Sequence, residues 1–131
     1  MYKNILMPLA YQPGHRPDAE IRAARAIAAP GARVTLLHVI GPVPEFRTEQ
    51  AAGKPALAEI IAHDLDRVAE SFVQAEVKVL EGDPAEQILG LAASSGADCI
   101  VLAPHRTDTG EYGSTAAQVV RRARCTVHLV R

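Results

Sequence analysis

Residues Arg33–Ile40, R-V-T-L-L-H-V-I, narrow the choice of fold more than any other stretch. β-Branched and apolar residues occupy consecutive positions, so a strand made from them has both faces to bury. Parallel strands sandwiched between helices meet that need, whereas a half-solvated antiparallel strand alternates polar and apolar. Cys99–Ala103 (C-I-V-L-A) has the same character, and Lys3–Leu9 is a third apolar run, ended by Pro8 and the turn residues Tyr11-Gln12-Pro13-Gly14. Glu76–Leu80 and Thr126–Val130 complete five expected strands.

Helical patterns fill the intervals. Pro17-Asp18-Ala19-Glu20 puts proline and acids where a helix N-terminus favours them. Ile21, Ala24, Ile27 and Ala28 follow at helical spacing, with Pro30-Gly31 expected to stop the helix. After a Pro-, Gly- and charge-rich loop from Gly41 to Pro55, residues Leu57, Ile60, Ile61, Leu65, Val68 and Phe72 trace one helical face. Asp83 is placed to cap a third helix, with Pro84 at its first position and Glu86 completing a capping box. Ile88, Leu89 and Ala92 bury that helix and Gly96 closes it. Ser114–Ala123 reads as a fourth. Strict alternation of strand and helix implies parallel strands, right-handed crossovers and an α/β doubly wound sheet.

At 131 residues the chain is expected to form a single domain over 1–131. Fourteen basic and 15 acidic residues give a net charge of −1, which argues against nucleic acid or an anionic membrane as partner. No apolar run approaches the roughly 20 residues of a membrane span. Met1-Tyr2-Lys3-Asn4 leads straight into Ile5-Leu6-Met7 without a signal-peptide pattern. Cys99 and Cys125 make neither a disulfide framework nor a metal knuckle, so the expected setting is cytoplasmic, with reduced thiols.

In open α/β sheets ligands sit beyond the carboxyl ends of the strands, where the strand order reverses. Those ends are Leu9-Ala10, Val39-Ile40-Gly41, Glu81-Gly82-Asp83 and Ala103-Pro104-His105. His15, His38 and His105 fall near them, yet their spacing supports no metal set, and a strand-end histidine serves more often as a hydrogen-bonded packing residue. No Ser-His-Asp or Cys-His signature marks a catalytic set. Cys99 reads as a buried small hydrophobe and Cys125 as the more exposed thiol. Arg121, Arg122 and Arg124 read as a solvated face matched to a helix C-terminus. Gly113-Ser114-Thr115 offers N–H groups and hydroxyls at a helix start. Ser114 fits a plain N-cap there, and a cap combined with an anion site is the alternative.

The segments Y-K-N-I-L-M-P, R-V-T-L-L-H-V, V-L-E-G-D-P-A-E-Q-I-L, G-A-D-C-I-V-L and A-R-C-T-V-H-L-V-R, in this order along nearly the whole chain, resemble the universal stress protein family. The resemblance implies a Rossmann-like, adenine nucleotide alpha hydrolase-like sheet of order 3-2-1-4-5. Members of the family usually form homodimers, and many bind ATP or AMP at the switch point between the first and fourth strands. Carried onto this chain, the pocket would comprise Pro8, Ala10, Val39, Ala103, His105, Arg106, Gly113, Ser114 and Thr115.

Nucleotide binders of the family carry a glycine, two residues, a second glycine, nine residues, and then Gly with Ser or Thr. Here Ala103 and Arg106 stand at the first two glycines, and only Thr107–Tyr112 separate Arg106 from Gly113-Ser114. The Asp that usually follows the first strand's proline is replaced, since Pro8-Leu9 leads to Ala10. Lost glycines deny phosphates a close backbone approach, and Asp108 and Glu111 add negative charge near another anion. The expectation is therefore a homodimeric regulatory protein of the stress response that does not bind ATP in the usual way. The alternative is a module for ATP, AMP or a small anion. Slow ATP hydrolysis is disfavoured, because Ala10 removes the best carboxylate for a magnesium ion.

The expected dimer uses Thr126–Val130. As the terminal strand of the family's order it is a sheet edge, and an apolar edge is a hazard unless paired or covered. Pairing two copies about a two-fold axis covers both edges and places His128 near the axis.

Overall fold

Five parallel strands are ordered β3-β2-β1-β4-β5 in one sheet: β1 Tyr2–Pro8, β2 Ala28–Ile40, β3 Gln74–Glu81, β4 Cys99–Leu102 and β5 Thr126–Leu129. The helices are α1 Asp18–Ile27, α2 Lys54–Ala69, α3 Pro84–Ser95 and α4 Ser114–Arg122. This computed structural model describes residues 1–10, 14–41, 54–103 and 113–131. The expected turn at 11–13, all of the expected loop from 42 to 53, and His105 and Arg106 lie outside the described residues.

The doubly wound expectation is met in the alternation of side chains along the central strands. Ile5 and Met7 of β1, Val34 and Leu36 of β2, and Cys99 and Val101 of β4 face one layer, which Ile21 and Ala24 of α1 and Ile61, Leu65 and Val68 of α2 complete. Leu6, Leu37, Ile100 and Leu102 face the other, against Ile88 and Ala92 of α3 and Ala116 and Val119 of α4. With water excluded from both faces, each large aliphatic side chain contributes about 1.5–3 kcal/mol. That double burial is why these strands read as unbroken apolar runs.

Several local expectations are corrected. α1 ends at Ile27 because Ala28 is already extended, at φ −75° and ψ 136°, so Pro30-Gly31 does not terminate it. Instead the two residues sit inside the start of β2, where the pairing steps from Tyr2↔Ala28 to Asn4↔Arg33 and Gly31 takes φ +73°. A glycine tolerates that left-handed position, which lets the extra residues bulge out of the ladder. On α2, Ile61, Leu65 and Val68 are buried, but Leu57 and Ile60 are 44% and 57% exposed, and Phe72 lies beyond the helix. β3 extends the expected strand at both ends, whereas β4 and β5 each stop one residue earlier than expected, at Leu102 and Leu129.

Both ends of α3 follow the expected chemistry. Asp83 accepts a hydrogen bond from the Glu86 N–H at 3.0 Å, Pro84 occupies the first position, and Gly96 at φ +70° closes the helix. The Glu86 carboxylate, expected to complete a capping box, accepts from Arg122 Nη1 at 2.6 Å and so ties α3 to α4. No described helix is long and apolar enough to cross a membrane.

Candidate functional site

β1 lies between β2 and β4, so the sheet reverses direction beside it and the strands' carboxyl ends open a crevice there. A cleft of about 370 Å³ occupies this place. Leu9 and Ala10 line it from the exit of β1, Leu37, His38 and Val39 from β2, Leu102 and Ala103 from β4, and Pro84 and Ile88 from α3. Gly113, Ser114, Thr115 and Ala116 close it from the start of α4, with Pro8 beneath.

The wall is mostly aliphatic, and its described residues include no Asp, Glu, Lys or Arg. Its polarity comes from main chain, the hydroxyls of Ser114 and Thr115, and His38. The Leu9 N–H donates to the Leu37 carbonyl at 2.7 Å, and His38 Nδ1 lies 2.9 Å from the Leu9 carbonyl. A carbonyl only accepts, so Nδ1 carries the proton in this pair.

The two helices that start at the cleft have opposite N-termini. Asp83 occupies the start of α3. α4 starts differently from expectation: Gly113, at φ −63° and ψ 162°, is the N-cap and Ser114 is the first helical residue. Glycine has no side chain to turn back, and no side-chain cap hydrogen bond is made there. The first intrahelical bond runs from the Ala117 N–H to the Gly113 carbonyl at 3.1 Å. N–H groups at such a start favour an anion, through both hydrogen bonding and the helix dipole.

Of the residues singled out from sequence, Pro8, Ala10, Val39, Ala103, Gly113, Ser114 and Thr115 come together around this one cleft. Sequence reasoning about the pocket missed Leu37, Ile88, Leu102 and Ala116, which are hydrophobic and carry no motif, while Leu9 was named only as a strand end and Pro84 only as a helix start. His38, expected near the strand ends as a hydrogen-bonded packing residue, makes such a bond to the Leu9 carbonyl and also lines the cleft.

Neither cysteine is activated as a nucleophile. The buried Cys99 thiol is pushed up to about 11 by desolvation, with smaller contributions from Cys125 and Asp98. Desolvation also raises the half-buried Cys125. Both stay protonated at neutral pH, and they pack on opposite faces of the sheet. Among the described residues no three His, Cys, Asp or Glu groups gather as a metal site.

The model of the universal stress protein family matches residues 1–131. A universal stress protein of Thermus aquaticus is 32% identical over 144 aligned residues, covering all of both chains. Among solved structures, the universal stress protein UspA of Lactobacillus plantarum superposes with a TM-score of 0.68 at 26% identity, over 99% of this chain and 98% of that one. A universal stress protein solved in complex with cAMP superposes at 0.72 with 23% identity, over 99% and 97%.

Proposed function

The chain belongs to the universal stress protein family, and from that premise we propose that it is a regulatory member whose cleft takes an adenine mononucleotide rather than ATP. The observation that carries this reading is the composition of the cleft. An aliphatic slot suited to a flat base leads to the start of α4, where the described residues make no side-chain cap hydrogen bond to the N–H groups. One such helix start, carrying roughly half an elementary charge, suits a single phosphate group. The described wall offers no carboxylate for the magnesium ion that accompanies a triphosphate, because Ala10 stands where that carboxylate would be most useful. Solved relatives in complex with cAMP, AMP (Arabidopsis thaliana) and dAMP (Archaeoglobus fulgidus) support the same ligand class.

The protein acts in the cytoplasm as a homodimer. β5 is an edge strand with Val127 and Leu129 half-buried on the α3/α4 side, and pairing Thr126–Val130 with its copy satisfies both open edges.

Isothermal titration calorimetry tests the ligand. AMP is expected to bind in the micromolar range and Mg-ATP at least tenfold more weakly. ATP binding as tight as AMP, or no heat from millimolar AMP, overturns the reading. Light scattering at micromolar concentration tests the dimer, which a stable monomer refutes.

A further inference from the structure

Away from the cleft, a groove of about 740 Å³ lies between the C-terminal ends of α3 and α4, twice the volume of the cleft itself. It sits at the amino ends of the strands, since α3 leads into β4 and α4 into β5. Leu89, Ala92, Ala93 and Gly96 line it from the α3 side, at positions i, i+3, i+4 and i+7, which share one helical face. Arg122 and Arg124 stand on the α4 side. A helix on a protein surface normally turns charged residues to solvent. α3 carries one charge, Glu86 in its first turn, and Gln87–Ser95 carry none. Ala93 and Gly96 are exposed, so the flank that faces the groove presents methyl groups and backbone.

We propose that this groove docks an acidic amphipathic helix of a partner protein. Its floor of small residues takes aliphatic anchors spaced i, i+3, i+4 and i+7, the pattern of helix-in-groove recognition. Charge selects the occupant. No Asp or Glu lines the groove among the described residues, and the two charged groups that do line it are guanidinium. Arg122 shares its charge with Glu86 at 2.6 Å, whereas Arg124 makes no ion pair with any described residue. Asp98, the neighbouring carboxylate beyond Ala97, is already held by the N–H groups of Lys3 and Asn4. A carboxylate on the flank of a docked helix therefore meets an unneutralised guanidinium, whose fork matches it with parallel hydrogen bonds. A match to the helix dipole accounts for the cations in the last turn of α4, but Arg124 lies beyond the cap at Ala123.

Two synthetic helical peptides test this, with the same leucine face and with flanks of either glutamate or lysine. In NMR titration of the full chain, the glutamate peptide at micromolar concentration is expected to shift the amides of Leu89, Ala93 and Arg124. The lysine peptide is expected to bind at least tenfold more weakly. Arg124→Glu should reverse that preference. Ala93→Trp fills the groove and should weaken the glutamate peptide tenfold or more. Both substitutions are at exposed positions, and thermal unfolding checks that the fold survives. No shift of the groove amides at millimolar glutamate peptide overturns the proposal, as does equal binding of the two peptides. Unchanged affinity in folded Ala93→Trp overturns it too. So does an Arg124→Glu variant that loses thermal stability yet keeps the glutamate preference, because Arg124 would then serve only the helix ends. Binding to phosphatidylserine vesicles that Arg124→Glu abolishes, with neither peptide bound, also overturns it and assigns the surface to a membrane.

Discussion

Asp98 and Asn4 hold each other through two reciprocal hydrogen bonds. The Asp98 N–H donates to the Asn4 carbonyl at 2.9 Å, and Asp98 Oδ1 accepts from the Asn4 N–H at 3.0 Å. Asp98 Oδ2 takes the Lys3 N–H at 2.9 Å, and the Asn4 side chain donates to the Ser95 carbonyl at 2.7 Å. One carboxylate therefore aligns the start of β1 with the turn that enters β4. Asp98→Ala removes the acceptor of two main-chain N–H groups, one of them partly buried. It is expected to destabilise the protein by about 1–3 kcal/mol, measured as a lower urea midpoint with an unchanged slope.

The tie between α3 and α4 gives stability an acid-sensitive part. The hydrogen bond and charge of Arg122 hold the Glu86 carboxyl below its ordinary value of 4.5. A folded-state value below the unfolded one means the contribution is present above about pH 4.5 and disappears as the pH falls through the lower, folded value. Both groups are solvent-exposed, so the effect at neutral pH is small. In Arg122→Gln, NMR titration should return Glu86 to the ordinary carboxylate range, and the acid unfolding curve should lose part of its steepness below pH 4.5.

Thiol chemistry should report global unfolding rather than a reactive site. Cys99 is fully buried with its thiol raised to about 11, so the thiolate fraction at pH 8 is on the order of one in a thousand. Iodoacetamide at pH 8 should leave Cys99 unmodified until the chain unfolds and label Cys125 slowly. Rapid stoichiometric alkylation of Cys99 in folded protein would contradict the packing of β4.

Gly113 offers a trade between stability and ligand. Its φ of −63° is open to any residue, so Gly113→Asp can supply the cap hydrogen bond that α4 lacks. Thermal unfolding should show a gain of a few tenths of a kcal/mol, since glycine is itself a tolerable N-cap. The same carboxylate would occupy the N–H groups and repel a phosphate, so AMP affinity should fall tenfold or more in calorimetry. A variant that gains stability and keeps its affinity would place the phosphate elsewhere.

Where local rules govern, the chain could be read directly. The Asp83-Pro84 start of α3, its Gly96 stop and the apolar runs of β2 and β4 each follow from chemistry within a few residues. Errors arose where a local signal met a tertiary one. Pro30-Gly31 looks like a helix stop, but β1 needed a partner further down β2, so the residues became a bulge. Ser114 looks like a cap, yet Gly113 takes the extended cap conformation and Ser114 is the first residue of the helix. The apolar face expected of α2 was too wide at its N-terminal end, where Leu57 and Ile60 meet solvent.

The sequence alone determined the alternation of strands and helices, the parallel doubly wound class and the family, because strand burial on both faces and helix capping leave marks on consecutive residues. Only the tertiary structure decided that Leu37, Ile88, Leu102 and Ala116 wall the cleft, that Glu86 reaches for Arg122, and that His38 takes the Leu9 carbonyl. Those relationships join residues far apart in the chain. They depend on strand order and on where β1 leaves the sheet, and no local propensity encodes either.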